Sequence, residues 1–308
     1  MDLASQMILF ANVVEHGSFS ATARTLGLTP SSVSRQIGHL EGRLGVRLLQ
    51  RSTRKVSLTE EGLSLYERCA EIAAEVHAAE ELAHALSGRP QGKLRIATTV
   101  AFGKAQLLPV LPAFLERYPE ISVALDLTDR RVDLTESNHD LAIRFSEQIE
   151  DASMMARKLA ANDRVVCASP TYIQAHGRPR TPADLASHNC LRISTVDNWN
   201  DWRFVDGGDA VSFRADGNFE ANSADGVYHA ALAGIGIARL STYLVGPDLA
   251  SGRLINLMPE YCEQKADIFA IYPSRHNLAP KICAFIDYLV ECFQPVPPWE
   301  RDIKSACG

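Results

Sequence analysis

Pro30, Ser31, Ser32, Ser34, Arg35 and Gln36 gather short hydroxyls, an amide and a guanidinium at one place in the chain, and Arg51, Thr53 and Arg54 form a second basic, polar cluster soon after. Nothing in this set is a nucleophile paired with a base. Its chemistry is recognition: an Arg fork matches the guanine edge, an amide matches adenine, hydroxyls serve either, and free cations meet phosphate. These residues can act only if one helix carries the first cluster and a loop carries the second.

The local signals predict that arrangement. Thr29 followed by Pro30 is a hydroxyl N-cap with proline at the first helical position, so a helix opens there and runs to about Leu44 before Gly45. Val33, Ile37, Leu40 and Leu44 recur at three- and four-residue spacing and form its buried stripe, which leaves the polar cluster on the other side of the first turns. The positive end of the helix then faces phosphate. A preceding helix, roughly Phe19 to Leu26, carries small Ala21 and Ala23 and stops at Gly27, and the Leu26-Gly27-Leu28-Thr29 segment is the short turn of a helix-turn-helix. An earlier helix, about Leu3 to Glu15, offers Ile8, Phe10, Ala11 and Val14 as a third wall. Val46 to Leu49 and Lys55 to Leu58 are expected as two short strands around the basic loop, a wing laid along a groove.

Charge supports this. Residues 1 to 58 hold seven Lys or Arg against Asp2, Glu15 and Glu41, a balance of +4, whereas the whole chain is -6 and the remainder therefore -10. Arginines also decorate the solvated face of ordinary helical domains, but here cap, turn, small residues and wing coincide. A basic module on a larger acidic body implies a double-stranded DNA clamp attached to something that does not bind nucleic acid.

The segment VEHGSFSATARTLGLTPSSVSRQIGHLEGRLGVRLLQRSTRKVSLTEEG resembles the N-terminal pattern of the LysR-type transcriptional regulators. The resemblance continues through GKLRIATTVAFG, LLPVLPAFLERYPEISVAL, DLAIR, CASPTYIQAHGRPRTPADLASHNCL, ALAGIGIARL, PDLASGRL and YPSRHNLAPKICAFIDYL. It implies a winged helix-turn-helix DNA-binding domain over 1–58, a linker and dimerisation helix over 59–87, a hinge at 88–92, and a two-lobed α/β effector-binding domain over 93–308 that resembles periplasmic binding proteins. It further implies a homodimer or a dimer of dimers, an operator, a small-molecule effector, contact with RNA polymerase, autoregulation, and control of a neighbouring, often divergent, promoter.

The rest of the chain is consistent with these expectations. A length of 308 residues favours two or three domains with real cores. The absence of a long apolar run and of a basic leader followed by an apolar core leads us to expect a cytoplasmic protein with no membrane partner. Seven cysteines, at positions 69, 167, 190, 262, 283, 292 and 307, show no C-x-x-C and no repeated spacing, so neither metal nor other cofactor is expected and the thiols are read as bystanders. From Thr59, with Glu60 and Glu61 behind it, a helix about 40 Å long is expected up to Ser87, where Gly88-Arg89-Pro90-Gln91-Gly92 stops it. Along it Leu65, Cys69, Ile72, Val76, Ala79, Ala83 and Leu86 alternate four- and three-residue steps, a heptad seam for dimerisation; a helix packed on its own domain shows a similar stripe.

Beyond the hinge, strands at Leu94 to Thr98, Ile121 to Leu127 and Leu141 to Ile143, with a helix around Leu107 to Tyr118, indicate an α/β domain with a mostly parallel sheet. Ser169-Pro170 is read as the crossover out of the first lobe and Ala230 to Leu240 as a helix and strand leading back. Ligands of such sheets sit beyond the carboxyl ends of strands, which places Thr98, Thr99, Val100 and Phe102 at a site. The family comparison adds Arg144, Phe145, Asn222 and Ser223, with Phe102 and Phe145 as apolar wall and the polar groups orienting the effector. The residues leave alternatives open: Thr98 or Thr99 as a helix cap, Phe145 as core, Arg144 as partner of a structural carboxylate.

Enzyme readings lack support, because no G-x-S-x-G, H-E-x-x-H or P-loop lysine motif is present. Gly234-Ile235-Gly236 lacks the third glycine of a dinucleotide site and is read as tight helix-to-strand packing. The leading expectation is thus a transcription regulator governed by a small effector. The alternatives are a two-lobed solute-binding or enzymatic protein with an incidental helix-turn-helix start, and a redox-sensing regulator.

Overall fold

The computed structural model describes residues 1–50, 56–130, 132–134, 139–146, 154–262, 265–273 and 278–300, with backbone alone for 77, 78, 80–87 and 197. The chain divides into two compact units, Met1–Ser87 and Gly88–Gly308.

The first unit opens with α1 (Leu3–His16), α2 (Phe19–Thr25) and α3 (Pro30–Leu44). Each starts on a side chain that accepts from the first turn: Asp2 from Ser5 N at 2.8 Å, Ser18 from Ala21 N at 3.4 Å, Thr29 from Ser32 N at 3.2 Å. Gly27 takes a φ of +64° in the turn between α2 and α3, and Leu28 N donates back to Ala23 O at 2.8 Å, so only a residue without Cβ closes this corner cheaply. The core is built from Leu9, Phe10, Ala11, Val13, Ala23, Val33, Ile37, Leu40, Leu48, Leu49 and Cys69. On α1 Phe10 and Ala11 are buried as expected together with Leu9 and Val13, while Ile8 and Val14 lie half-exposed beside them.

The wing strands are shorter than expected. β1 (Leu49–Gln50) pairs antiparallel with β2 (Ser57–Leu58), and Val46 to Leu48 stay outside the ladder. The reason is Glu41, whose carboxylate accepts from Leu48 N at 2.9 Å and Leu49 N at 3.2 Å, so a side chain from α3 takes amides a strand partner would otherwise use. Next comes α4 (Glu60–Ser87), started by Thr59, whose hydroxyl donates to Arg47 O at 2.7 Å and accepts from Gly62 N at 2.9 Å.

The second unit contains a five-stranded sheet in the order β4-β3-β5-β14-β6, made of β3 (Gly92–Thr98), β4 (Ile121–Leu127), β5 (Leu141–Phe145), β6 (Met154–Ala160) and β14 (Ile268–Pro273). β3 runs parallel to β4 and β5, whereas β14 is antiparallel to β5 and β6. The helix after β3 begins earlier than expected: α5 (Val100–Phe102) leads through a π-helical turn at Gly103–Leu107 into α6 (Leu108–Arg117). The second lobe is built on β7 (Arg164–Ala168), flanked antiparallel by β12 (Ala238–Ser241) and β13 (Ile255–Leu257). Around it lie α7 (Pro170–His176), β8 (Arg192–Ile193), β9 (Asp201–Asp206), β10 (Asp209–Arg214), β11 (Glu220–Ala221), α8 (Ala224–Leu232) and α9 (Thr242–Ala250), and α10 (Pro280–Phe293) returns to the first lobe.

Two expectations change here. Within the first sheet the parallel pairing is confined to one side, and the second lobe's main sheet is antiparallel, with parallel pairing there left to the short β8–β11 pair, because its strands arrive by long detours rather than by repeated strand-helix-strand crossovers. The crossover also falls earlier than Ser169-Pro170, at residues 161–163, since β7 already belongs to the second lobe and Ser169 instead caps α7 by accepting from Tyr172 N at 3.3 Å. Asn162 fastens this crossing: its amide donates to Ala266 O at 3.1 Å and its oxygen accepts from the Thr242 hydroxyl at 3.2 Å. The Gly234 to Gly236 segment is tight packing as expected, for a Cβ on Gly236 would stand 2.3 Å from Asn189 O.

A Cβ at Gly62 would stand 2.0 Å from the Leu48 carbonyl oxygen, backbone against backbone. Gly62→Ala is expected to destabilise the first unit by about 1–3 kcal/mol through forced separation of α4 from the wing base. Thermal unfolding of the variant beside Gly38→Ala, where a Cβ meets nothing within 4 Å, checks this.

Candidate functional site

Three surfaces carry the candidate residues. On α3, Val33, Ile37 and Leu40 are buried, and Pro30, Ser31, Ser34 and Arg35 are exposed on the opposite side. Arg35 makes no hydrogen bond or ion pair with the described residues, so its fork is free to leave the surface. Ser32 is half-buried, with its amide on the Thr29 cap. Gln36 is less available than expected: its amide oxygen accepts from Gln6 on α1 at 3.0 Å, which ties it to the domain and leaves mainly its NH2 for a partner. Arg51, Thr53 and Arg54 lie outside the described residues.

On α4 the predicted seam divides. Cys69 is fully buried and Leu65 half-buried in the core of their own unit, packed with α1, so these two are domain packing rather than seam. The same stripe then runs past that core: Ile72 is 37 % exposed, Val76 is 43 % exposed, and Ala79 is open. The side chains of Ala83 and Leu86 lie outside the described residues. The regular spacing was unable to show this division, because a heptad stripe looks the same whether its own domain or another chain covers it.

Between the lobes of the second unit, the carboxyl ends of β3, β4 and β5 meet the start of α8. Thr99 is the N-cap of α5, accepting from Phe102 N at 3.4 Å, and its hydroxyl also meets the phenol of Tyr243 at the start of α9. Burial pushes that phenol up, with the Arg164 guanidinium and the Thr99 hydroxyl acting in the other direction. Ser223 caps α8 from the other lobe, accepting from Asp225 N at 3.1 Å and Gly226 N at 3.4 Å. Thr98 is buried with its hydroxyl unpartnered, Val100 is half-buried, and Asn222 is exposed. Lys104 Nζ on the first lobe reaches both carboxylate oxygens of Asp225 on the second at 2.9 Å, and Gln106 donates to Tyr243 O at 2.8 Å. The lobes are thus joined by polar contacts across the cleft as well as by the crossovers.

Phe102 and Phe145 require correction. Both are buried, edge to face with each other at 6.5 Å; Phe102 also packs against Phe293 and Trp299, and Phe145 stacks on Tyr243 at 5.6 Å. They form the floor beneath the cleft and present no wall to a ligand, because the aromatic cluster gains more from mutual burial than either ring would from solvent. Arg144 is also withdrawn, donating to Ile143 O at 3.3 Å and Arg130 O at 3.4 Å. Burial lowers its pKa, opposed by Asp129 and Asp126.

Asp129 was missed. It sits just past the carboxyl end of β4, where the strand-end rule that selected Thr98 and Thr99 applies equally. Its carboxyl is pushed up by burial, opposed by the Ser223 hydroxyl, Arg144 and the Val100 N–H. Two of the described thiols, Cys167 and Cys190, are buried, and burial pushes each up to about 12, far from the reactive thiolate range.

With this geometry in hand, comparison with known proteins is decisive. The family described as "Bacterial regulatory helix-turn-helix protein, lysR family" matches residues 4–63, and "LysR substrate binding domain" matches residues 87–294. The chain belongs to the LysR family of transcription regulators. It is similar to the HTH-type transcriptional activator TtdR of Escherichia coli K12, 36% identical over 284 residues that cover 91% of each chain. Among solved structures it is similar to CrgA, a LysR-type transcriptional regulator from Neisseria meningitidis, at 35% identity and a TM-score of 0.62 over 93% of this chain and 97% of that one. It is also similar to the Vibrio cholerae virulence activator AphB, at 27% identity and a TM-score of 0.66 over 94% and 99%. This LysR-type regulator accordingly combines a DNA-binding helix-turn-helix with a two-lobed effector-binding domain. Among the described residues no helix is long and apolar enough to cross a membrane.

Because Thr99 both caps α5 and meets Tyr243, Thr99→Val should lower stability by about 1 kcal/mol, whereas Thr99→Ser, which keeps the oxygen, should lose less. Denaturant unfolding of the pair checks this; equal losses would mean that the hydroxyl contributes nothing.

Proposed function

We propose that this LysR regulator places α3 in the major groove of an operator, with Pro30, Ser31, Ser34 and Arg35 at the base edges and Arg51 and Arg54 of the wing on phosphate. The observation that carries the reading is the division of α3 into a buried apolar stripe and an exposed polar N-terminal face with an unpaired arginine. A recognition helix docks through its first turns, and phosphate contacts from the wing fix its register.

In this reading two copies pair through the open part of the α4 stripe, Ile72, Val76 and Ala79, and present two recognition helices to half-sites about one helical turn apart. Pairs associate further into tetramers, and the assembly works by binding rather than catalysis, in the cytoplasm with its DNA and in contact with RNA polymerase. A small effector seated between the lobes, near Thr99, Val100, Asn222 and Ser223, alters operator binding through its different affinity for two lobe arrangements.

Operator titration tests the reading, using duplexes selected from a random pool by the intact protein. Arg35→Ala should cost about 1–3 kcal/mol and relax base preference at one position per half-site. Unchanged affinity and preference would remove α3 from the groove. Ile72→Glu with Val76→Glu should put repelling charge into an apolar interface, convert the oligomer to monomer in sedimentation, and weaken operator binding because two half-site contacts no longer add. An unchanged oligomer would exclude this stripe.

A further inference from the structure

Asp129 is 7 % exposed, and among the described residues neither of its carboxylate oxygens has a hydrogen-bond partner. Native proteins rarely leave a buried carboxylate in this condition, because a group withdrawn from water without compensation is costly. The groups facing it come from both sides of the cleft: the Val100 N–H and Arg144 from the first lobe, the Ser223 hydroxyl and Asp225 from the second. Asp225 is a like charge already held by Lys104. Arg144 forms no direct ion pair with Asp129 and spends its donors on two backbone carbonyls. Ser223 and Val100 lie close enough to lower its pKa, yet neither reaches bonding geometry, and a carboxylate offers about four acceptor sites.

We propose that Asp129 is the specificity-determining residue of the effector cleft, selecting a small molecule that brings a hydroxyl or ammonium donor to its unpartnered carboxylate. This rests on the cleft reading above and deepens it. The Thr98 hydroxyl, at the end of β3 beside the end of β4, is likewise buried without a partner among the described residues. A plain anion meets the Asp129 charge and is disfavoured. A ligand with an N–H or O–H donor supplies what the protein withholds, and a site built to bond such a group discriminates strongly against the analogue that lacks it.

The test uses the full-length protein and calorimetric titration with skeleton-matched probes: L-alanine, L-lactate and propionate, then L-2-aminobutyrate, 2-hydroxybutyrate and butyrate, with glycerol as an uncharged donor. At least one donor-bearing probe should bind, and its donor-less partner should bind about 100-fold more weakly or worse. Asp129→Asn should weaken an ammonium-bearing ligand more than a hydroxyl-bearing one, which separates the two sources of the donor. Propionate or butyrate binding as tightly as the substituted acids would overturn the proposal, as would binding by no probe at all. So would undiminished binding by both Asp129→Asn and Asp129→Ala. The wild-type comparison stands even where a variant fails to fold. If Asn222→Ala with Ser223→Ala leaves probe binding intact, the cleft reading itself fails; if that pair abolishes binding while the Asp129 variants retain it, only the specificity role of Asp129 falls.

Discussion

The first amides of a helix have no partner within the helix, and this chain answers that constraint with a short hydroxyl at each candidate recognition surface. Thr29 opens α3, Thr59 opens α4, Thr99 opens the helix from α5 onward, and Ser223 opens α8. Each cap fixes a helix start to within one residue. In α3 it decides which residues reach outward, and in the cleft it decides where two helix starts face each other across the lobes. The cap hydroxyls accept from helix amides, so the polar groups beside them must either turn to other parts of the protein or wait for a ligand.

Local chemistry made the recognition helix legible. Thr29, Pro30 and Gly45 are start and stop signals that act through their own backbone, and the stripe of Val33, Ile37 and Leu40 needs no distant partner to be read. Contacts between residues remote along the helix axis were not legible. Glu41 takes the amides of Leu48 and Leu49 and shortens the wing strand, and nothing in the alternation of Val46 to Leu49 shows that. The α4 stripe had the correct spacing but two different coverings along its length.

The cleft shows the same limit at the level of side-chain direction. Phe145 ends β5 and Phe102 lies in α5 just past β3, where position alone is compatible with wall or floor, and the surrounding Tyr243, Phe293 and Trp299 draw them inward. Thr99 and Ser223 were found by position and family resemblance, yet each serves as a cap, a role the sequence had left open for Thr99. Asp129 obeys the strand-end rule, but it follows β4, whose sequence carries no other polar group that marks a site. The groups that face it include Ser223 and Asp225, nearly a hundred residues away, a proximity that no local pattern encodes.

The contact between Gly62 and Leu48 has a mechanical consequence. With the Thr59 hydroxyl bonded to Arg47 O and no side chain between α4 and the wing base, the linker helix and the DNA-reading head have little room to slip against each other. At about 1.5 Å per residue the helix is about 40 Å long, so a tilt of about 5° at its base would sweep its far end by about 3–4 Å. By the same geometry a displacement of that size at the far end corresponds to a rotation of only about 5° at the base.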